Sequence, residues 1–421
     1  MVLFLHTRYR TTGGEERAVE DLMWLVRERL GEQVELLERS TGSDRPAALT
    51  RGRAAVGLLR GGLEPRDVAS AVRLTGARVV HAHNLHPTFG WRALAAARAA
   101  GARVVLHLHQ YRLVCAIGVC FTRGAECTRC HGRDTLPGVR LNCRDSLPEA
   151  LAYGASLALW QRRLVEQADA VIVPSVFARE RLRALGAPLD WERVHVLAPP
   201  VRACERSSSS DLPRARAASA CAASTRPLSE LTSELSAHAR QPPRTTAMPN
   251  GYALVVSRLA PEKGVDVAID ACRIAGLPLV VAGDGPELET LRGRGGGGKV
   301  RFVGHVEDAR LAELRSQAAI ALAPSRSAET FGLAAAEAMA AGLPVAASRV
   351  GALPELVGEE GLVPVDDPDA LARAIGRLAG DRGAGERGRK RVRALCAPDV
   401  VADALADIYD WSRPTDGGDR T

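Results

Sequence analysis

The sequence predicts an α/β protein built from two doubly wound domains, and three observations support this class. The chain has 421 residues, more than a single hydrophobic core usually serves, so two domains are expected. Short apolar runs alternate with amphipathic stretches in both halves, which is typical of parallel sheets with helices between the strands. Between the halves, residues 201–250 are rich in Ser, Ala, Arg and Pro without a sustained apolar period, which predicts a low-complexity linker.

Residues 1–200 are predicted to form the first domain. An amphipathic helix is expected over Glu15–Leu30, directly after the opening strand. The opening apolar run is too short for a signal-peptide core. The sequence contains no run of about 18 apolar residues, so no membrane-spanning helix is predicted. The predicted strands are Val2–Leu5, Val34–Leu37, Val79–Ala82, Val104–His107 and Val171–Val173.

Residues 251–395 are predicted to form a second domain of the same class. Its strands recur with a regularity typical of a doubly wound sheet. The remaining residues, 396–421, contain a predicted closing helix over Val400–Trp411 and a polar tail. The predicted strands are Ala253–Val256, Pro278–Ala282, Val300–Val303, Ala319–Ala323 and Pro344–Ala347.

The positive charge of the chain lies in its first half. The formal charge is +7, and residues 1–200 hold 28 Lys and Arg against 20 Asp and Glu. Such a face can attract anionic lipid headgroups, nucleic acid or phosphorylated substrates, and charge alone does not choose among them. A merely solvated face is the alternative. Nine cysteines, an odd number, favour a reducing compartment, so we predict a cytoplasmic protein. Because the first half is basic, we also predict peripheral contact with the inner face of an anionic membrane. The arginines chosen for this contact are Arg162, Arg163, Arg179, Arg181 and Arg183.

The strongest candidate site follows the predicted strand Ala319–Ala323. Phe331, Gly332 and Leu333 open an Ala-rich helix that runs to Ala341. Free backbone N–H groups and the positive end of the helix dipole make such a start an anion site. The segment is therefore predicted to bind a phosphate or diphosphate.

Two carboxylates flank this helix start. Glu329 precedes the helix, and Glu337 lies about one turn inside it. Ionised carboxylates accept hydrogen bonds from hydroxyls, so a pair beside a phosphate site suits a nucleotide sugar. A solvated helix glutamate is the alternative for Glu337, because most glutamates are exposed.

Two cations stand at the carboxyl end of the strand Ala253–Val256, where open α/β sheets bind ligands. They are Arg258 and Lys263, and they would hold a diphosphate without a metal ion. The next strand ends in a turn in which Gly283 and Gly285 let the backbone approach a ligand closely, with Asp284 favoured as a turn residue.

The first domain offers weaker candidates. Gly13 and Gly14 lie before a helix, where they serve either a phosphate or a tight turn. His109 follows the strand Val104–His107, and a lone histidine in that position is more often structural than catalytic.

A cysteine-rich insertion is predicted over residues 112–145. It contains a C-x-x-C pair at Cys127 and Cys130, and thiols are ligands for structural zinc. Reduced thiols, or a redox pair at this C-x-x-C, are the alternatives. The candidate ligands are Cys115, Cys120, Cys127, Cys130 and Cys143.

Three of these motifs follow one another in the order and spacing of a known family. They are Ser257–Gly264, Gly283–Pro286 and the Glu329/Glu337 pair, and together they resemble the family 4 retaining glycosyltransferases. The resemblance covers nearly the whole chain outside the linker. It extends to Gly13, Gly14, His83, His109 and Gly351–Val357.

The resemblance implies a GT-B fold, with two facing Rossmann-like domains and the donor held mainly by the second. Arg258 and Lys263 would hold the donor diphosphate, with Gly13, Gly14 and Gly283 as further donor contacts. Glu337 would bind the ribose, and Glu329 would lie beside the transferred sugar. His109 would back the anomeric carbon. Backbone N–H groups over Phe331–Leu333 would contact sugar or phosphate.

The implied activity is that of a retaining hexosyltransferase. It would move a sugar from a nucleotide diphosphate sugar to a glycan, lipid-linked or small-molecule acceptor in polysaccharide or glycoconjugate biosynthesis. In that family the leaving phosphate takes the acceptor's proton, so no enzyme nucleophile is implied. No cofactor is expected to be required for catalysis, and no nucleic acid is expected as a partner. The alternatives are an epimerase or phosphorylase of the same fold, or a non-catalytic nucleotide-sensing or nucleic-acid-binding protein. Short motifs specify neither the donor's base and sugar nor the acceptor.

Overall fold

The computed structural model describes residues 1–8, 13–40, 47–205, 251–296 and 298–410. Within them the chain forms two six-stranded sheets, with helices between the strands. The predicted linker lies outside the described residues from 206 onward, as does the predicted polar tail from 411. No helix in the described part is both long and apolar enough to cross a membrane.

The first sheet carries the amino-terminal half. Its strands are β1 (Val2–Arg8), β2 (Val34–Ser40), β3 (Val79–Ala82), β4 (Arg103–His107), β7 (Ala170–Val173) and β8 (Val194–Val196). Their order is β2-β1-β3-β4-β7-β8, and every pairing is parallel. A separate hairpin consists of β5 (Phe121–Thr122) and β6 (Ala125–Glu126). The helices are α1 (Gly14–Glu28), α2 (Ala47–Arg60), α3 (Pro65–Thr75), α4 (Gly90–Ala99), α5 (Leu136–Arg140), α6 (Leu147–Glu166) and α7 (Val176–Ala184).

The second sheet has the strand order β11-β10-β9-β12-β13-β14, again parallel throughout. Its strands are β9 (Ala253–Val256), β10 (Leu279–Ala282), β11 (Val300–Gly304), β12 (Ile320–Ala323), β13 (Val345–Ser348) and β14 (Leu362–Val363). The helices are α8 (Val265–Ala275), α9 (Leu288–Arg294), α10 (Asp308–Gln317), α11 (Leu333–Ala340), α12 (Leu353–Leu356), α13 (Pro368–Leu378), α14 (Arg382–Cys396) and α15 (Pro398–Tyr409). Short 3-10 turns occur at Trp191–Arg193, Arg202–Glu205, Pro261–Lys263 and Glu359–Gly361.

Both faces of each sheet are covered by helices, which explains why the strands are continuous apolar runs. In β1, Leu3 and Leu5 pack into one core cluster, whereas Val2 and Phe4 pack into another. This alternation follows the two-residue period of a strand. The carboxyl ends of parallel strands therefore share one edge, where polar residues are free to form a site.

The topology identifies where ligands bind. In the second sheet the chain order reverses between β9 and β12, because the strands on either side of this pair are added in opposite directions. Open α/β sheets bind ligands at the carboxyl ends of the strands beside such a reversal. The loops after β9 and β12 are therefore the expected site, and they contain Arg258, Lys263 and Glu329.

The closing helix α15 returns from the second domain to the first. Val401, Leu405 and Ile408 are buried in the same core cluster as Phe4 and Leu22. At its end, the Tyr409 hydroxyl lies 2.6 Å from Nδ1 of His81. The carboxyl-terminal helix is thus part of the first domain's core.

Replacing Leu405 by alanine should destabilise the first domain by about 2–5 kcal/mol, because the side chain is fully buried. Urea unfolding monitored with amide exchange of β1 measures this loss. The matched control on the same helix is Val400→Ala, which removes a side chain that is 47% exposed and should cost less than about 0.5 kcal/mol. Equal effects of the two substitutions would contradict the packing of α15 on the first domain.

Candidate active site

The centre of the site is an ion pair between the loops after β9 and β12. Lys263 Nζ lies 2.6 Å from Oε1 of Glu329, and the Ser325 hydroxyl donates to the same oxygen at 2.6 Å. Burial alone would raise the pKa of Glu329. The charge of Lys263 and the two hydrogen bonds outweigh it, so the pKa lies below its usual value. Glu329 is therefore ionised at neutral pH.

Arg326 fixes the relative position of these two loops. Its guanidinium binds both oxygens of Asp266 at 2.7 and 2.8 Å, and it also donates to the carbonyl of Pro261 at 2.9 Å. The Arg326 amide donates to the carbonyl of Glu262 at 2.8 Å. Because a forked guanidinium pair is rigid, Lys263 is presented to Glu329 in a defined position.

Arg258 lies at the carboxyl end of β9 and is 44% exposed. Its guanidinium forms an ion pair with the buried carboxylate of Glu262, four residues further along the loop. A guanidinium has five N–H donors, and this pair uses only part of them. Arg258 is thus held in place at one end while its remaining donors are available to an anion.

The start of α11 is built as the sequence predicted. Gly332 has φ 97°, which favours glycine, and an added Cβ would lie 2.6 Å from the end of the Leu353 side chain, which would have to shift. Phe331 before it is buried, and Leu333 is the first helical residue. The first N–H groups of a helix lack intrahelical partners, so this end attracts negative charge.

Gly283 has a structural reason to be glycine. Its φ is 135°, and an added Cβ would collide with the carbonyl of Ser257. Leu259 N donates to the Asp284 carbonyl at 2.8 Å, and the Asp284 carboxylate accepts from Gly285 N at 2.7 Å, as a turn residue does. The tight turn holds the Arg258 loop, and contact between Gly283 and a donor stays a prediction.

Glu337 is buried inside the molecule, so the alternative of a solvated helix glutamate is wrong. One carboxylate oxygen lies 2.6 Å from Nε of Arg17 in α1, and the other pairs with Arg315 in α10. Arg17 also pairs with Asp308 at the start of α10. Glu337 therefore contributes to an ionic contact between the domains, at the position where the resemblance implies the ribose.

Further contacts join the domains around Thr330. Its hydroxyl donates to the carbonyl of His109 at 2.9 Å, and its own carbonyl accepts from the Ser175 hydroxyl at 2.7 Å. The carboxylate of Glu355 accepts from the backbone N–H of Val176 and Phe177 at the start of α7. The first-domain residue His109 is thus bonded to Thr330, which directly follows Glu329 in the chain.

His109 belongs to a row of stacked imidazoles at the carboxyl ends of β3 and β4. Its Nε2 lies 2.8 Å from Nδ1 of His83. Burial, with His6 nearby, lowers the pKa of His109 to about 3. The ring is neutral at physiological pH, so it can form hydrogen bonds with a donor sugar but does not supply a positive charge.

His81, His83 and His107 form the only group of at least three metal-ligand side chains, among residues the structure describes, whose ligand atoms lie within 4.8 Å of one another. The nitrogens of His81 already face Tyr409 and His107. The group itself has no carboxylate to offset a buried dication, whose desolvation is costly. We assign these histidines to the packing beneath the site.

Gly13 and Gly14 are exposed at the start of α1, and neither has a positive φ. A tight turn therefore does not require them, which weakens that alternative. Gly13 N donates to the Glu16 carboxylate at 2.7 Å, and an added Cβ on Gly14 would meet open space. A phosphate at this helix start stays a prediction.

A cavity at the carboxyl edge of the first sheet lies beside His109. Glu15, Asn84 and Gln110 give it polar walls, and Gln110 donates to the Glu15 carboxylate at 2.8 Å. Burial raises the pKa of Glu15 to about 8, and the charge of Glu16 adds to the rise. This cavity therefore offers hydrogen-bonding groups at the carboxyl edge of the first sheet.

Comparison with known proteins matches two family models to the chain. The model described as "Glycosyl transferase 4-like domain" matches residues 13–200, and "Glycosyl transferases group 1" matches residues 251–381. The two matches cover most of the chain, and each falls on one of the two sheets. The chain belongs to the GT4-type glycosyltransferases.

Solved structures show that this GT4-type chain has the GT-B fold, as the resemblance implied. Sucrose-phosphate synthase from Thermosynechococcus elongatus is 20% identical, with a TM-score of 0.62 over 97% of this chain and 98% of the other. Anabaena HepE, solved with UDP and glucose, is 18% identical with a TM-score of 0.58 over 97% and 99%.

Curated relatives match over a shorter stretch. A GDP-mannose-dependent α-(1-6)-phosphatidylinositol dimannoside mannosyltransferase of Mycobacterium tuberculosis is 36% identical over 37% of this chain and 39% of the relative. A phosphatidyl-myo-inositol mannosyltransferase of the same species is 37% identical over 36% and 41%. The similarity therefore spans less than half of each of these relatives.

Sequence reasoning about this GT4-type chain missed the residues that join the domains. Arg17 follows the Gly13–Gly14 pair by one turn, and Glu355 lies within Gly351–Val357, so these motifs were the available signal for the two residues. Ser175 lies in no motif. The importance of all three residues depends on which loops face each other across the cleft, and that is a property of the assembled fold.

Replacing Lys263 by methionine should lower the unfolding free energy of the second domain by about 1–3 kcal/mol at pH 7. The ion pair is partly buried, so this loss lies between those measured for exposed and for fully buried ion pairs. Glu329 would lose its cation, and burial would then raise its pKa. A raised folded-state pKa makes the loss largest above the ordinary carboxyl pKa and smaller as the pH falls below it. Urea unfolding at pH 7 and pH 4 measures this dependence.

The matched control is the double variant Lys263→Met/Glu329→Gln. It removes both charges and should recover most of the stability lost in the single variant. A loss that is the same at both pH values, or no recovery in the double variant, would contradict the ion pair.

Proposed function

We propose that the chain is a retaining hexosyltransferase that takes its sugar from a nucleotide diphosphate sugar. The observation that carries this proposal is the convergence of Arg258, Lys263 and the start of α11 at the carboxyl edge of the second sheet. These groups supply two cations and a helix dipole to one anion. Family membership supports the same reading.

The proposed donor spans the cleft. Its diphosphate lies against Arg258, Lys263 and the backbone N–H groups at Phe331–Leu333. Its ribose hydroxyls donate to the carboxylate of Glu337. That carboxylate either gives up its contact with Arg17 or accepts hydrogen bonds from Arg17 and the ribose together. The hexose extends toward Glu329 and His109.

The proposed mechanism needs no enzyme nucleophile. The bond between the anomeric carbon and the phosphate oxygen breaks, and the acceptor oxygen forms a new bond to the anomeric carbon on the same face. The leaving phosphate takes the proton of that acceptor hydroxyl. Arg258 and Lys263 stabilise the charge that develops on the departing diphosphate. Glu329 is already paired with Lys263, which favours a role in positioning over attack on the sugar.

The acceptor is proposed to enter from the first domain, over the cavity formed by Glu15, Asn84 and Gln110. Such a pocket recognises hydroxyls of a glycan, a lipid-linked sugar or a small molecule. Two relatives named as mannosyltransferases make GDP-mannose the first donor to test, with UDP-glucose second because HepE was solved with UDP and glucose. The alternatives of an epimerase, a phosphorylase and a nucleic-acid-binding protein gain no support from these matches.

Arg258→Gln should weaken binding of GDP or UDP by about 10- to 100-fold, because a charge-assisted hydrogen bond contributes about 1.5–3 kcal/mol. Isothermal titration calorimetry measures the change. The matched control is Arg292→Gln on α9, an exposed arginine whose carboxylate partner is also exposed, and it should bind like the wild type.

Nucleoside monophosphates sharpen this test. They lack the second phosphate, so the effect of Arg258→Gln on them should be smaller than on the diphosphates. The transferase proposal fails if the wild type binds no nucleoside diphosphate, or if Arg258→Gln and Arg292→Gln bind it equally well.

We also propose peripheral contact with an anionic membrane, through α6 and α2. Arg162 and Arg163 are exposed on α6, and Leu151 and Leu159 on the same helix are at least half exposed. Trp160 of α6 donates to the carbonyl of Leu59 in α2, another exposed leucine, which joins the two helices. Basic and apolar groups together suit a charged lipid surface.

The predicted contribution of α7 needs correction. Its three arginines form ion pairs with carboxylates: Arg179 and Arg183 with Glu180, and Arg181 with Glu126. The start of this helix also faces Glu355 of the second domain. We therefore restrict the proposed membrane face to Arg162 and Arg163 and the apolar residues beside them.

Reversing two charges, Arg162→Glu/Arg163→Glu, should abolish sedimentation with phosphatidylglycerol vesicles at low salt. The matched control is Arg373→Glu/Arg377→Glu, the same charge change on the exposed face of α13. It should leave sedimentation near the wild-type level. A wild type that ignores anionic vesicles, or equal losses in both variants, would refute the proposal.

A further inference from the structure

The cysteine-rich insertion between β4 and α6 gathers its thiols around one cavity. Cys115, Cys120, Cys127, Cys130 and Cys143 all line it, together with apolar residues that include Ala116 and Phe121. Every one of these cysteines is a free thiol. Five thiols from a segment of about thirty residues therefore face a common space.

Local contacts hold the segments that carry these thiols against each other. Cys127 N donates to the carbonyl of Cys120 at 2.8 Å, and Cys143 N donates to that of Gly138 at 3.0 Å. Gly138 in turn lies against the Cys130 sulfur. These contacts hold the thiols of Cys115, Cys127, Cys130 and Cys143 around the one cavity that all four line.

The insertion has little else to stabilise it. Its regular structure consists of the two-residue strands β5 and β6 and the short helix α5. Non-glycine residues with positive φ recur along it, and each adds backbone strain. They are Cys120, Arg123, Asn142 and Asp145. A small irregular segment of this kind usually depends on a covalent or metal cross-link.

We propose that Cys115, Cys127, Cys130 and Cys143 bind one Zn²⁺ ion as a structural site. Four thiolates suit the tetrahedral preference of zinc, and each thiol loses its proton when the ion binds. Four metal–sulfur bonds would then stabilise an insertion that has little hydrophobic core of its own.

Cys120 and His131 are left out of the ligand set for physical reasons. Cys120 is buried in the hydrophobic core of the first domain, whereas the other four cysteines are only partly buried. The His131 ring packs against Gly186, leaving no room there for a Cβ, and it does not line the cavity. The site is therefore a four-cysteine site.

Binding draws the insertion inward. In the described residues no three of these sulfur atoms lie within 4.8 Å of one another, so the hairpin and the loop that follows it close around the ion. The first turn of the insertion is tied to the acceptor side of the cleft: Tyr111 N donates to Gly118 O at 2.9 Å, and Cys115 N donates to Tyr111 O at 2.8 Å. Zinc thus stiffens the wall next to His109.

The test is the metal content of the full chain, purified without chelators or a metal-affinity step. Inductively coupled plasma mass spectrometry should find about one zinc per chain in the wild type, the occupancy that a single four-cysteine site requires. Cys127→Ser/Cys130→Ser should remove it. In the wild type, substitution by Co²⁺ should give the intense visible absorption of a tetrahedral thiolate site.

Two matched controls separate metal binding from a general loss of folding. Cys120→Ser changes a thiol of the same cavity, and Cys272→Ser changes a buried thiol in α8. Both should keep the zinc. The proposal is overturned if the wild type contains no zinc, if the controls lose zinc as completely as the double variant, or if the thiols form disulfides or an iron–sulfur cluster. None of these outcomes bears on nucleotide binding by the second domain.

Discussion

The segment Ala328–Gly332 is the constraint on which the arrangement of the cleft depends. Ala328 packs into the core of the first domain, although it belongs to the second. Glu329 is held by Lys263 and Ser325, and Thr330 is bonded to His109 and Ser175. Gly332 then turns the chain into α11. These five consecutive residues thus carry the contact with the first domain, the ion pair and the start of α11. A change in any one of these three features therefore disturbs the other two.

Much of the polar network at the cleft consists of charges already satisfied by protein partners. Lys263 binds Glu329, Arg258 binds Glu262, and Glu337 binds Arg17 and Arg315. These pairs offset the cost of burying the charges in the absence of a donor. They also mean that a bound nucleotide exchanges partners with the protein, and the Arg17–Glu337 contact couples that exchange to the position of the first domain. Nucleotide binding and domain position are therefore linked in this account.

The fold and the donor side were predictable because they depend on local patterns. Apolar runs marked the strands, and glycine with a helix start marked α11, where the positive φ favours that residue. Glu337 was predicted as a site residue, but its two arginine partners come from α1 and α10 and have no sequence signal. The same holds for α15, whose apolar residues indicated a helix but not which domain it covers. Contacts between distant segments are set by the assembled fold.

The central claim is that the second domain holds a nucleoside diphosphate between Arg258, Lys263 and the start of α11. A crystal structure with GDP bound tests it most directly. The account predicts phosphate oxygens within hydrogen-bond distance of both cations and of the backbone at Phe331–Leu333, with the ribose hydroxyls on Glu337. A nucleotide bound at the edge of the first sheet, or a diphosphate that contacts neither Arg258 nor Lys263, would contradict it.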